Sequence, residues 1–409
     1  MQTVPVGSKP SWYLPTMATT EAERVDSLID QLLEAHPPAE TDPQELWGAQ
    51  YDLGLAWVWQ PEGFGGLGLG RKHQAHINRR LEEAGASTAN RRDNIIGIGM
   101  GAGVLTAHGS DDQKHRWLRP MFTTEEIWCQ LFSEPGAGSD LAGLAARAVR
   151  DGDEWVVNGQ KVWTSLAHVA KWGLLVVRTD PDAVKHQGLT YFVVDMRAPG
   201  VEVRPIYQIT GEAEFNEVFF DDARIPDANR IDEVGAGWRV SMTTLMNERV
   251  AIGGIATPRG SGAIAGAVEA WKQSGSDDPV LRDELVRLWA KAEAARLTTL
   301  RAIEMASQGT PGPEGSTGKI DWATLNKEIT TFTLDLLGLD GTLYPGGYEL
   351  KRPDYGDQTP QRAFLRTRAN SIEGGTTEIL MNVIGERVLG LPGEPRVDKD
   401  VPWTEVPRG

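Results

Sequence analysis

Apolar positions recur along this chain with two periods, and the switches between them divide it. From Thr20 the stretch TEAERVDSLIDQLLEA sets Val25, Leu28, Ile29 and Leu32 on one helical face, with Thr19 or Thr20 available as an N-cap after a Pro- and Ser-rich lead-in. A second helix over about 46–56, LWGAQYDLGLA, ends in PEGFGGLGLG, residues 61–70. That glycine run lacks a Gly-Lys-Ser/Thr ending and the flanking strand and helix of a phosphate cradle, so it is read as a structural turn. Helical spacing resumes in KHQAHINRRLEEAG and DDQKHRWLRPMFT. Between them IIGIGMGAGVLTAHG is rich in small residues and predicts close helix packing or a cavity wall. His73 and His76 share a helix face, but no third ligand lies near them in sequence, so they are read as surface or core histidines and no metal site is expected.

At about residue 128 the period falls to two. ARAVRDGDEWVVNGQKVWTS carries Asp-Gly and Asn-Gly at turn positions, WGLLVVRTD and LTYFVVDM are continuous β-rich runs, and EFNEVFFDDARIP closes on a proline. Several short strands without an intervening helix predict a compact β-barrel or sandwich rather than a parallel α/β sheet. After about Gly237 helical spacing returns and lasts to a low-complexity tail near Pro392, interrupted by loops at 310–319 and 343–360. There is no internal repeat. The expected order is a helical domain over 1–127, a β-barrel domain over 128–237, a helical domain over 238–395 and a tail over 396–409.

Composition narrows the function. With 409 residues, 40% hydrophobic and 24% charged, the chain can bury a large core. A net charge of -16 speaks against nucleic acid as a partner. The single cysteine, Cys129, excludes an internal disulfide and a thiolate metal cluster. No basic segment with an apolar run follows Met1, and no 18-residue uncharged apolar run occurs, so a non-exported cytoplasmic protein without a membrane span is expected.

Three stretches carry candidate chemistry. In FSEPGAGSD, Gly136 and Gly138 let the backbone approach a ligand while Ser133 and Ser139 offer hydroxyls, and in NGQKVWTS the Trp163 ring can stack on a flat group whose rim Thr164 and Ser165 would bond. In SMTTLMNERVAIGGIA, Leu245, Glu248, Ile252 and Ile255 fall on one helical face. Glu248 thus sits inside an apolar stripe, either paired or functional, and an unpaired carboxylate there would be tuned towards a general base. Arg249 points about 100° away and is free to meet a ligand anion, the alternative being a simple salt bridge between Glu248 and an arginine. In RANSIEGGTTEILMNVIGERVLG, Gly374 and Gly375 precede Thr376 and a helix carrying Ile379 and Val383, with Glu373 beside the helix start.

Taken together, SEPGAGSD, NGQKVWTS, FDDARIPDAN, NERVAIG and EGGTTEI with ERVLGLP closely resemble, in order and spacing, the acyl-CoA dehydrogenase family of flavoproteins, over about residues 20–392. The resemblance implies a helical N-terminal domain, a β-barrel and a C-terminal four-helix bundle, with FAD between subunits. It also implies that Leu131, Ser133, Gly138, Ser139, Trp163 and Ser165 line the flavin, that Thr376 and Glu378 contact its phosphate and sugar region, and that Ser139, Leu245 and Arg249 meet the substrate. The implied reaction is α,β-dehydrogenation of an acyl-CoA to the trans-2-enoyl-CoA. A carboxylate takes the α-proton, the β-hydride leaves for flavin N5, and the Gly374 N–H holds the thioester oxygen. Electrons would pass to an electron-transferring flavoprotein or a similar acceptor.

Two departures from the family pattern matter. Where many members carry the base, just before Gly-Thr, this chain has Gly374, with Glu373 one residue off; other members carry it at the position of Glu248, which is the expected base, with Glu373 the alternative. The Arg-x-x-Phe-Gly segment that reaches a neighbour's FAD is replaced by AWKQSGSDDPVLRDEL, and Gly-Gly-x-Gly by LLGLDG at 336–341. This resembles divergent bacterial members that act on CoA thioesters of steroid side chains as α2β2 tetramers with a related chain. A homo-oligomer or such a heterotetramer is therefore expected. A non-catalytic subunit completing a partner's FAD site, or a related flavin oxidase or monooxygenase, remain alternatives at this level.

Overall fold

The computed structural model describes residues 17–253, 257–308, 315–345, 349–353, 359–395, 398 and 400–406. The chain divides into two compact units, up to Asn90 and from Arg91. In the first, α1 (Met17–Ala35), α2 (Pro43–Asp52) and α3 (Lys72–Glu83) bury Val25, Ile29, Leu32, Leu46, Leu55, Val58, Ile77 and Leu81 in one core. α1 starts at Met17, so Thr19 and Thr20 lie inside it rather than capping it, and the rest of the lead-in falls outside the described residues. Asp42 caps α2 by accepting from the Gln44 N–H at 2.9 Å.

The glycine run folds as a turn. Trp57 N donates to Gly65 O and Leu67 N to Val58 O, and a Cβ on Gly65, at φ +80°, would strike the Tyr51 ring. His73 and His76 each tie α3 to α1, through Glu21 at 3.2 Å and Asp26 at 2.7 Å.

In the second unit, α4 (Ala89–Asp93) leads to a π-helical turn, Gly97–Gly101, then α5 (Ala102–His108) and α6 (Asp111–Phe122), which Ser110 and Gln113 start with a reciprocal capping box. The small residues here serve close packing: a Cβ on Gly97 would meet Asn94 and Met121, and one on Gly103 would meet Asn247. Asn94 also anchors the first strand, accepting from Trp128 N at 2.9 Å while donating to Met121 O and Glu126 O.

Eight strands follow: β1 (Trp128–Leu131), β2 (Arg147–Asp151), β3 (Glu154–Ser165), β4 (Trp172–Arg178), β5 (Leu189–Asp195), β6 (Val201–Pro205), β7 (Phe215–Pro226) and β8 (Arg230–Ile231). Their order is β6-β7-β3-β2-β4-β5-β8, with β1 parallel to β4. The path ends at the five-residue β6 and the two-residue β8, which do not pair, so the sheet is open where the strand run predicted a closed barrel. Asp151–Gly152 does turn β2 into β3. Asn158–Gly159, expected as a turn, instead lies within β3 at a register shift against β7. Gly159 is at φ +145°, and a Cβ there would lie 2.5 Å from that of Ala146.

Helices then resume: α7 (Gly237–Gly253), α8 (Ala263–Ser274), α9 (Pro279–Gln308), α10 (Gly315–Leu336), α11 (Pro360–Thr367) and α12 (Thr377–Val383). α8, α9 and α10 share a core of Ile264, Ala267, Leu285, Leu288, Leu325, Ile329 and Phe332. α10 begins at Gly315, inside the loop expected at 310–319, and 309–314 fall outside the described residues. From the second interruption, Lys351 N donates to Gly211 O and Lys351 O accepts from Ala213 N, while Arg352 Nη1 reaches Asn216 Oδ1 at 3.0 Å, so this stretch lies along the approach to β7. Among the described residues no helix is long and apolar enough to cross a membrane.

Candidate active site

A buried ion pair builds the first wall. Glu134 makes a two-way backbone bridge with Ala137, closing the Pro135–Gly136 turn. Its carboxylate accepts from Ala145 N at 2.7 Å, Ala146 N at 3.0 Å and Lys161 Nζ at 2.8 Å. Lys161 has no exposed surface, so burial pulls its ammonium below the ordinary lysine range despite the Glu134 charge, and Nζ also donates to Phe132 O at 3.0 Å. The pair locks the loop after β1 onto β3. Neither residue stood out in the sequence, although each lies inside one of the two blocks that did.

What this lock leaves outside is a small polar surface. Gly136, Gly138 and Ser139 are exposed, and nothing lies within 4 Å of where a Cβ on either glycine would be. Ser133 is half-buried and its carbonyl accepts from Val162 N at 2.9 Å, which sets the loop beside the end of β3. There β3 shifts register a second time, between Lys161 and Thr164. The shift puts Trp163 at φ +61°, a left-handed conformation rare for a bulky side chain, and leaves it 58% exposed. Its ring stands edge-on to Phe215 at 6.0 Å. Ser165 follows, half-buried. Thr164 is fully buried and its hydroxyl has no hydrogen-bond partner among the described residues. An outward indole, three nearby hydroxyls and open glycine space fit a flat group with a polar rim. Leu131 differs from its neighbours: its side chain lies in the sheet core, so only its main chain is available to a ligand.

The second wall comes from the helices. Glu248 and Leu245 on α7 are half-buried. The side chains of Arg249 and Ile252, and all of Ile255, lie outside the described residues. α7 is fixed along its length by Tyr191 Oη to Thr244 Oγ1 at 3.0 Å and by His108, which reaches Asp232 at 3.0 Å and Thr243 at 2.9 Å.

Glu373 is held by Arg366 at 3.1 and 3.0 Å and by Asn370 Nδ2 at 2.8 Å. Arg366 also grips Glu214 at 2.7 and 3.1 Å. Burial opposes the Arg366 charge, yet the two carboxylates outweigh it and raise its pKa above the ordinary value. Gly374 and Gly375, at φ +63° and +91°, make the left-handed turn that only glycine takes freely, and Thr376 then caps α12 by accepting from Ile379 N at 3.2 Å. Glu378 is exposed in the first turn.

Lys319, expected in the loop over 310–319, lies in α10 and bonds to this turn. Its Nζ donates to Gly375 O at 2.7 Å. Burial lowers its pKa, against the opposing charges of Glu373, Glu248 and Glu378. The negative charges of Glu248 and of the 373–378 turn thus favour the same ammonium. Phe215 links the two sets of residues, with Trp163 edge-on to its ring and the Arg366 guanidinium 5.7 Å from its centroid.

Along the chain, helices give way to a sheet and then to a second run of helices that carries the Glu248 and Glu373 carboxylates. Sequence profiles match it domain by domain: "Acyl-CoA dehydrogenase, N-terminal domain" over residues 16–125, "middle domain" over 129–223 and "C-terminal domain" over 235–389. The chain belongs to the acyl-CoA dehydrogenase family, oxidoreductases acting on CH–CH bonds. It is 40% identical to acyl-CoA dehydrogenase IpdE1 of Mycobacterium tuberculosis over 348 residues, 84% of this chain and 86% of that protein. It is 42% identical to FadE34 of the same organism over 315 residues, 76% of this chain and 42% of the longer relative. Among solved structures, the ChsE4-ChsE5 complex from M. tuberculosis superposes with a TM-score of 0.67 at 28% identity, covering 93% of this chain and all of that one.

Proposed function

We propose that this chain dehydrogenates the Cα–Cβ bond of an acyl-CoA thioester with a bulky, branched or steroid side-chain acyl group, giving the trans-2-enoyl-CoA. The observation that supports this most is the Lys319 Nζ bond to Gly375 O, which sets α10 on the 373–378 turn, together with Phe215, which lies against both Trp163 and Arg366, the partner of Glu373. The bulky substrate rests on the resemblance to the steroid-active bacterial members.

In this reading FAD lies against the Leu131 main chain, Ser133, Gly138, Ser139, Trp163 and Ser165, with Thr376 and Glu378 towards its phosphate and sugar region. When bound, it supplies the acceptor for the β-hydride. Glu248 removes the α-proton. That proton is far too weakly acidic for a carboxylate unless the charge growing on the thioester oxygen is met by donors, and the Gly374 N–H is the donor this chain contributes. Leu245 and Ser139 line the acyl-CoA, and Arg249 meets its anionic part. Glu373 is the weaker candidate for the base, because its carboxylate is already engaged by Arg366 and Asn370. The assembly is a homo-oligomer or an α2β2 heterotetramer that passes electrons to an electron-transferring flavoprotein or a similar acceptor. The missing FAD-reaching segment favours the heterotetramer, and it also leaves open a second reading as a non-catalytic subunit completing a partner's site. We assign the protein to the cytoplasm and its domains to 1–127, 128–237 and 238–395, followed by the tail.

The test is Glu248→Gln in the FAD-loaded complex. Turnover should fall about 10³-fold while FAD stays bound, the scale of a lost general base. Full activity of Glu248→Gln together with loss in Glu373→Gln would move the base to Glu373. Full activity in both favours the non-catalytic reading.

A further inference from the structure

Within the segment expected as a low-complexity tail, Asp398 and residues 402–404 are docked. Asp398 Oδ2 lies 2.6 Å from Lys185 Nζ, and that same ammonium lies 2.7 Å from Asp140 Oδ2, the last residue of SEPGAGSD. Lys185 is only 5% exposed in its side chain. Trp403 covers the Arg178 guanidinium at 4.2 Å, and its indole N–H donates to Gly143 O at 3.3 Å. Its backbone N donates to Ala183 O at 3.0 Å, and Val184 and Pro402 form a β-bridge. Beneath Trp403, Arg178 is 2% exposed and donates to Ala142 O at 2.7 Å, Leu144 O at 3.2 Å and Lys185 O at 3.2 Å.

These bonds converge on residues 140–144. The upstream side of the same loop is closed by the Glu134–Ala137 bridge, so the open, ligand-facing stretch Gly138–Ser139 is strung between two fixed points. The downstream point is the one that depends on residues more than 250 positions away. Ordering backbone costs conformational entropy, so a loop pinned beforehand binds its ligand more tightly than one that must be ordered by it.

We propose that Asp398 and residues 400–406 form a clasp that positions the Gly138–Ser139 stretch by pinning Asp140 and Gly143 through Lys185, Arg178 and Trp403. This rests on the reading of that stretch as the flavin wall, and Asp398 and Trp403 are positioning residues in it.

The test uses the full chain carrying Trp403→Ala, Asp398→Asn or the conservative Trp403→Phe, with two readouts. The first is hydrogen exchange of amides 138–144 without FAD. The second is the rate of FAD release, followed by flavin fluorescence. Trp403→Ala and Asp398→Asn should speed both about tenfold, the scale of one lost cation–π stack or charged hydrogen bond. Trp403→Phe, which keeps a ring over Arg178, should recover most of the loss. Unchanged exchange at 138–144 in Trp403→Ala and Asp398→Asn, with a wild-type protein that binds FAD, would overturn the clasp, as would a rise spread equally over the α8–α10 core. A wild-type chain that holds no FAD, alone or with a partner, would overturn the flavin reading instead, and the exchange readout would still decide the clasp.

Discussion

Thr164 and Trp163 show how much a single register shift can do. The shift turns the indole outward at a cost of order 1–3 kcal/mol in backbone strain, and in the same step buries the next hydroxyl without a partner among the described residues. Both are unfavourable in the isolated chain. A ligand that stacks on the ring and bonds near the hydroxyl would offset them. Thr164→Val keeps the shape and removes the orphan group, so it should stabilise the FAD-free protein by about 1 kcal/mol in urea unfolding. The same change should weaken FAD binding if the hydroxyl is one of its contacts. Unchanged stability would mean that the hydroxyl already has a partner in solution.

At the scale of elements, the Glu134–Lys161 pair joins the loop after β1 to β3. Lys161→Met would strand a buried carboxylate and should cost about 3–5 kcal/mol by denaturant unfolding, whereas the double change Glu134→Gln with Lys161→Met should cost clearly less. Equal costs would argue that the lysine acts through packing alone. The order of elements was legible from period and turn chemistry, because amphipathic faces and β-rich runs are local signals. Closure of the sheet was not, since whether β6 meets β8 depends on strand lengths and shifts that the pattern does not carry. Nor was Asn158–Gly159, which looks like a hairpin turn but serves as a bulge where Ala146 packs too closely for a side chain. In the site, the hydroxyls, Trp163 and Glu248 were marked by motif and spacing. Lys319 and Arg366 were invisible, because their partners lie on other elements and no periodicity marks a side chain that bonds a distant carbonyl or carboxylate.

Across the whole molecule, α9 leaves Val280, Val286 and Leu297 more than half exposed, and Ile372 and Met381 flank the turn before α12 and its far side in the same state. Apolar side chains so placed suit association with another subunit. If a related chain completes the flavin site, the co-purified complex should carry about one FAD per two chains by flavin absorbance, against about one per chain for a self-sufficient homo-oligomer. This chain purified alone should then lose most of its flavin. Full retention by the lone chain would remove the need for a partner.

The docking of Trp403 on Gly143 spans 260 positions. During synthesis the flavin wall and its sheet emerge long before the segment that clasps them, an interval of roughly 13–50 s at 5–20 residues per second. For that time the nascent loop is held on its upstream side alone. A cofactor captured before Asp398 and Trp403 emerge would therefore meet a looser entrance than one captured after they have docked.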